Sequence, residues 1–271
     1  MKKSLGLYIH IPFCERKCNY CGFLSFVMKE NNDNYFKLGE NDDIVGETAS
    51  VKDYFDNLLK EIDNRGEYLR DKYVVDTIFI GGGTPSVVDE KYIEKLLKKI
   101  KLHYDVHEDV EITIEANPNS LTEKKIVSYK NAGINRISIG VQSFDDDELR
   151  MLGRLHNEEM AIDKINLCRK LGIENLSVDL IFDLPDQKFE SWHRTLIKAI
   201  SLGVDHISAY SLQIEEGTKF YREFKMGSLS TADDEKLRKF YDLAVNELTD
   251  AGYDHYEISN FSKIGKESEH N

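Results

Sequence analysis

The chain has 271 residues, 41% of them apolar and 10% aromatic with only 4 prolines, enough to bury a core as one large α/β domain or, more loosely, as two smaller ones. With 36 Lys and Arg against 49 Asp and Glu the formal charge is -13, and no stretch gathers basic residues into a stripe that could track phosphates, so no nucleic-acid partner is expected. No apolar segment approaches the roughly 18 residues that a membrane-spanning helix needs.

The N-terminal MKKSLGLYIHIPF superficially resembles a signal peptide, yet Tyr8, His10 and Pro12 interrupt its apolar run and it reads better as a strand. Six β-like runs follow one another: Leu5–Ile11, Asp76–Ile80, Val110–Ala116, Arg136–Gln142, Leu176–Ile181 and His206–Leu212. Amphipathic helical stretches alternate with them, near 51–65, 89–101, 122–132, 157–171, 189–202 and 233–251, and several end at a glycine suited to a left-handed cap, as at Gly133, Gly172 and Gly203. Strand then helix, repeated, means a parallel sheet with right-handed crossovers, as an incomplete (β/α) barrel or an open doubly wound sheet. The polar, acidic stretch Lys29–Ala49 is expected to be a mobile surface loop.

Alternation within the strands carries further. In the first, Leu5, Leu7, Ile9 and Ile11 oppose Gly6, Tyr8 and His10; in the third, Val110, Ile112, Ile114 and Ala116 oppose Glu111, Thr113 and Glu115. In the fourth, Ile137, Ile139 and Val141 oppose Ser138, Gly140 and Gln142; in the fifth, Leu176, Val178 and Leu180 oppose Ser177 and Asp179. The helices must cover the apolar face, so the small and polar set points inward. A closed eight-stranded barrel fills its interior with Val, Ile and Leu, so this one is expected to hold a wide polar cavity open at the C-terminal strand ends.

At that rim, just after the first strand, CERKCNYCGF places Cys14, Cys18 and Cys21 within eight residues, while the remaining cysteine, Cys168, lies on the Ala161, Ile165, Cys168 face of a helix and reads as core packing. This usage fits a reducing, cytoplasmic setting better than a disulfide framework. Four readings of the trio compete. A structural zinc site would need a fourth ligand such as His10 and lacks the usual pair of separated knuckles. A redox dithiol leaves Cys14 unexplained, and packing alone leaves the charged neighbours Glu15, Arg16 and Lys17 unexplained. A [4Fe–4S] cluster held by three thiolates keeps one iron vacant for a small-molecule ligand. Gly81-Gly-Gly-Thr-Pro85, after the second strand, permits close backbone approach to a ligand, though a tight turn would also use it. Glu115, Gln142 and Asp179 face the cavity by alternation, and with Arg154 they need polar partners there or ion pairs among themselves.

CxxxCxxC on such a barrel resembles the radical S-adenosylmethionine superfamily, whose fold is an incomplete (β/α)6 TIM-like barrel and whose cofactor chelates the vacant iron. YIHIPFCxxKCxYCxF, DTIFIGGGTPS, EITIEANP, GINRISIGVQSF, LGRLH, DLIFDLPDQ and GYDHYEIS extend the resemblance across nearly the whole chain, to the heme chaperone HemW family and its sister family, the oxygen-independent coproporphyrinogen III oxidases. The resemblance implies that Cys14, Cys18 and Cys21 hold the cluster and that Tyr8, Gly82 and Glu115 contact a first S-adenosylmethionine. It implies Tyr20, Gly83, Thr84, Gln142, Arg154 and Asp179 as a second cofactor pocket. The oxidases carry a fourth cysteine two residues after the third, where this chain has Phe23, and a long extension before the Tyr-x-His strand, where only seven residues precede Tyr8. Both departures favour the chaperone, a binder of heme that hands it to apo-hemoproteins, over porphyrin-biosynthetic oxidase activity. A homodimer and peripheral membrane contact are compatible with that implication. Asp183 stands where these families usually place Gly. The chaperone family continues through a His-Asn-x-x-Tyr-Trp segment associated with heme, whereas this chain stops at His270-Asn271. The expected organisation is therefore a partial barrel over 1–251 and the start of a truncated C-terminal region over 252–271, with His270 as a frayed end.

Overall fold

The computed structural model describes residues 2–28, 35–38, 44–45, 50–230 and 233–271. In chain order its elements are β1 (Lys3–Ile11), β2 (Phe13–Cys14), β3 (Phe26–Met28), β4 (Tyr35–Leu38), β5 (Ile44–Val45), α1 (Val51–Leu69), β6 (Tyr73–Gly82), α2 (Glu90–His103), β7 (Val106–Ala116), α3 (Glu123–Ala132) and β8 (Arg136–Gln142). They continue with α4 (Asp146–Leu152), α5 (Glu158–Lys170), β9 (Asn175–Phe182), α6 (Phe189–Ser201), β10 (His206–Ser211), α7 (Lys219–Lys225), α8 (Asp234–Asp250), β11 (Asp254–Glu257) and β12 (Asn260–Ser262). The larger sheet runs β1-β6-β7-β8-β9-β10-β12-β11. From β1 to β10 every pairing is parallel. With β1 and β11 at its two edges the sheet curls without closing, which makes it the expected (β/α)6 partial barrel.

The helices start where local chemistry lets them. Ser50 and Asp53 form a reciprocal capping box at α1, Thr122 accepts from the Lys125 N–H at α3, and Gly133 ends α3 at φ 100. The strands' apolar sets face these helices: Ile11, Ile80, Ile114, Ile137, Ile139, Leu176, Val178 and Ile207 are fully buried. Each such side chain contributes about 1.5–3 kcal/mol by leaving water. Ala161, Ile165 and Cys168 sit together in this core, so Cys168 is a packing residue.

Several elements depart from expectation. Most of the stretch expected to be a surface loop, 29–49, lies outside the described residues, but Tyr35–Leu38 and Ile44–Val45 within it are strands of a small second sheet, order β2-β3-β4-β5. The one-turn-plus helices α4 and α7 carry too few turns to show a periodicity of their own. Beyond residue 251, β12 pairs antiparallel with β10 and β11 pairs antiparallel with β12, so both join the barrel sheet. His270 is not frayed: its Nδ1 lies 2.8 Å from Thr77 Oγ1 and its ring stacks on Phe79 at 5.3 Å.

Asp183, where a glycine was expected, adopts φ 60, a left-handed conformation that any Cβ strains. Asp183→Gly is expected to be more stable than Asp183→Ala by about 1 kcal/mol, since both lose the same carboxylate and only alanine keeps the strain. Paired urea melts of the two variants check this; equal midpoints would show the turn to be unstrained.

Candidate functional site

The cysteine loop begins where β1 ends. β2 pairs with β3, and Phe26 N–H donates to Pro12 O at 2.7 Å, so residues 14–25 form a closed excursion at the C-terminal rim. Asn19 anchors that excursion: its N–H reaches Leu152 O at 3.0 Å, its Nδ2 reaches Met151 O at 2.7 Å, and its own carbonyl accepts from Phe220 N–H at 2.9 Å. The otherwise unremarked helices α4 and α7 thus brace the loop. All four cysteines are free thiols. Cys14 is buried against Thr84 Oγ1 at 3.6 Å, and Arg154 Nη1 lies 3.6 Å from Cys18 Sγ. Burial pushes the Cys14 and Cys21 thiols upward, while Lys17 pulls both down.

Cys14, Cys18 and Cys21 line one cavity of about 570 Å³ together with Tyr20, Gly82, Gly83, Thr84, Glu115, Gln142, Arg154 and Asp179. Eleven of the twelve residues singled out from the sequence therefore converge. Tyr8 does not reach the wall: it is 54% exposed, its hydroxyl lies 3.1 Å from His10 Nδ1, and its ring stacks on Phe79, which does line the cavity.

The glycines serve close packing. Gly83 N–H donates to Ile11 O at 2.9 Å, and a Cβ added to it would lie 2.7 Å from Phe13 O and 3.1 Å from Cys14 Sγ. Gly82 N–H donates to Glu115 Oε2 at 3.0 Å, and a Cβ there would strike the His10 ring. Gly83→Ala is accordingly expected to displace the cysteine loop, costing about 2 kcal/mol of stability and most of the cluster content. Iron and sulfide analysis beside a thermal melt tests it, and wild-type values in both would mean the loop yields freely.

Electrostatics set the cavity's character. Burial, with Asp179 second, pushes Glu115 up to about 7, and burial raises Asp179 as well. Asp179 accepts from Ser138 Oγ at 3.2 Å. Burial also raises the Tyr20 phenol. Arg154, placed by Gly153 at φ 77 just past α4, donates to Asn117 Oδ1 at 2.6 Å and Gly140 O at 2.5 Å, so it is a part-buried wall residue rather than a surface one. Arg136, Asn117, Phe79, His206, Ser208 and Tyr210 also line the cavity and were not singled out. Carrying the period-two alternation back to Arg136 and on into β10 would have found four of them.

A tetrahedral zinc site, with Zn–S near 2.3 Å, would draw its sulfurs within about 4 Å of one another. Among the described residues no three His, Cys, Asp or Glu groups gather closely enough to clasp one ion. Three free thiols at one wall, a glycine cradle behind Cys14, and Lys17 and Arg154 beside them instead fit a larger, anionic iron–sulfur cluster.

A partial parallel barrel with three thiols on the wall of a cavity that also presents Glu115, Asp179, Arg136 and Arg154 can seat a metal cluster and a ligand side by side. The chain belongs to the radical SAM superfamily, whose family model matches residues 8–199. Its cofactors are accordingly a [4Fe–4S] cluster and S-adenosylmethionine. The chain is 38% identical over 98% of its length to "Heme chaperone HemW" of Haemophilus influenzae and 39% identical over 98% to that of Escherichia coli. It spans 65% of the length of each. Among solved structures it is similar to the Escherichia coli coproporphyrinogen III oxidase HemN, a radical SAM enzyme, with TM-score 0.81 and 25% identity over 97% of this chain and 56% of that one. Among the described residues no helix is long and apolar enough to cross a membrane.

Proposed function

We propose that this chain is the partial-barrel part of a cytoplasmic heme chaperone of the HemW type, which binds a [4Fe–4S] cluster, S-adenosylmethionine and heme and passes heme to apo-hemoproteins. The similarity to HemW proteins along 98% of the chain carries the reading. Phe23 supports it locally: two residues after Cys21, where the resemblance expects the oxidases' fourth cysteine, stands a side chain 71% exposed at the rim. Cys14, Cys18 and Cys21 would hold the cluster and Gly82 and Glu115 would contact a first S-adenosylmethionine, with Tyr8 acting through Phe79, the wall residue on which its ring stacks. Tyr20, Gly83, Thr84, Gln142, Arg154 and Asp179 would form a second cofactor pocket; all six line the same cavity. When bound, the cluster would supply one-electron chemistry beside the sulfonium cofactor, and the barrel wall would shield that site from water. Homodimerisation is part of the same reading, and sedimentation of the reconstituted chain measures it.

Similarity to HemN favours a second reading, oxidative decarboxylation of coproporphyrinogen III. Anaerobic reconstitution, heme titration and a coproporphyrinogen assay separate the two. Heme binding without decarboxylated product is expected; product formation without heme binding would establish the oxidase instead.

A further inference from the structure

Strand β8 leaves the barrel wall through a bulge. Its register against β9 pairs Gly140 with Asp179 and then Gln142 with Leu180, so Val141 is skipped. A bulged residue loses its ladder partner, and a buried carbonyl in that position needs another donor. Two groups meet the Val141 carbonyl: Ser143 N–H at 3.0 Å and the His156 imidazole Nε2 at 3.0 Å. The next residue, Gln142, is held at φ 71, a conformation that strains a non-glycine residue, and its side chain lines the cavity.

His156 is 4% exposed, and only its Nε2 finds a partner; Nδ1 is buried without one. A carbonyl can only accept, so Nε2 carries the proton and Nδ1 is the bare nitrogen. Burial, then Arg154, pushes the imidazole down to about 4, which keeps it in this neutral form at physiological pH. Its role rests on the one bond it donates, to the Val141 carbonyl.

That role lies in what the bond closes. Residues 142–155 form an excursion containing α4, with Gln142 at its start and Arg154 near its end, and the His156–Val141 contact pins the two ends together. Above Gly140 the two side chains converge. A Cβ there would lie 2.8 Å from Gln142 Nε2 and 3.4 Å from Arg154 Nη2. We propose that His156 is a positioning residue, whose single donated bond, made to the same carbonyl on which Ser143 N–H closes the turn around Gln142, locks Gln142 in its left-handed conformation and fixes it against Arg154 for contact with S-adenosylmethionine. This rests on the reading that Gln142 and Arg154 line the second cofactor pocket and that S-adenosylmethionine enters it.

The test uses the anaerobically reconstituted chain, with S-adenosylmethionine affinity by equilibrium dialysis, iron content and thermal midpoint read on every variant. His156→Phe fills the site without a donor; His156→Gln can return an N–H near the Nε2 position. The phenylalanine variant is expected to lose about tenfold in affinity with iron content unchanged, and the glutamine variant to stay within about threefold of wild type. Unchanged affinity in His156→Phe, or equal loss in both variants, overturns the proposal. Gln142→Ala separates the underlying reading: an affinity loss of similar size supports both, whereas unchanged affinity in Gln142→Ala alongside a loss in His156→Phe refutes cofactor contact by Gln142 and the positioning role with it.

Discussion

Replacing any one of Cys14, Cys18 and Cys21 with serine is expected to abolish cluster assembly, whereas Cys168→Ser leaves it intact. The three sulfurs line one cavity beside Arg154 and Lys17. A thiol surrenders its proton to iron readily even where burial has raised its pKa, because the metal's charge reverses that penalty. A serine hydroxyl does so poorly and is a harder donor than iron–sulfur clusters select. With only three donors there is no redundancy, so each loss should drop iron from about four atoms per chain to near zero. Cys168 sits in α5 among Ala161 and Ile165 with its thiol pushed up to about 12 by burial, and serine there costs stability alone, about 1–2 kcal/mol. Iron, sulfide and the broad absorbance near roughly 400 nm are the measurements. Full clusters in any of the three rim variants, or their loss in Cys168→Ser, would refute the assignment.

How far the sequence alone revealed this site depends on the length scale of each signal. The six parallel strands and their six long helices were legible because period two and period 3.6 both run for many residues, and because glycine and capping side chains punctuate them. The same alternation put Glu115, Gln142 and Asp179 inside the barrel. It is silent about α4 and α7, seven residues each, whose importance lies in gripping Asn19 through backbone carbonyls and an amide that carry no side-chain signature. Tyr8 shows the complementary limit. Its strand face is correct, but β1 is an edge strand, so the inward face near its middle opens to solvent and the ring rests on Phe79. Bulges are harder still: the skipped Val141 shifts no apolar residue out of pattern, so nothing in the string GVQSF announces that His156 donates to its carbonyl.

Glu115→Gln is expected to stabilise the cofactor-free chain at pH 8 and to weaken its hold on S-adenosylmethionine. Burial and then Asp179 push this carboxyl from 4.5 up to about 7. In the unfolded chain it titrates near 4.5, so between the two values the folded state holds the extra proton and stability falls as pH rises. The loss is absent below 4.5, complete above 7, and amounts to about 3 kcal/mol at roughly 1.4 kcal/mol per pH unit. Glutamine retains an oxygen for the Gly82 N–H and has no charge to bury, so its gain should appear at pH 8 and vanish at pH 4. A group that destabilises its own fold persists where a ligand repays it, and a sulfonium or ammonium beside the carboxylate would do so. The affinity ratio of wild type to Glu115→Gln should therefore grow from near unity at pH 6 to tenfold or more, on the order of 1.4 kcal/mol, at pH 8. Taking the ratio at each pH cancels the cofactor's own titration. Denaturant melts and dialysis binding, each at three pH values, decide the matter: a flat ratio would remove Glu115 from the cofactor's surroundings, and a variant no more stable at pH 8 would show that the wild-type carboxylate is already satisfied by the fold.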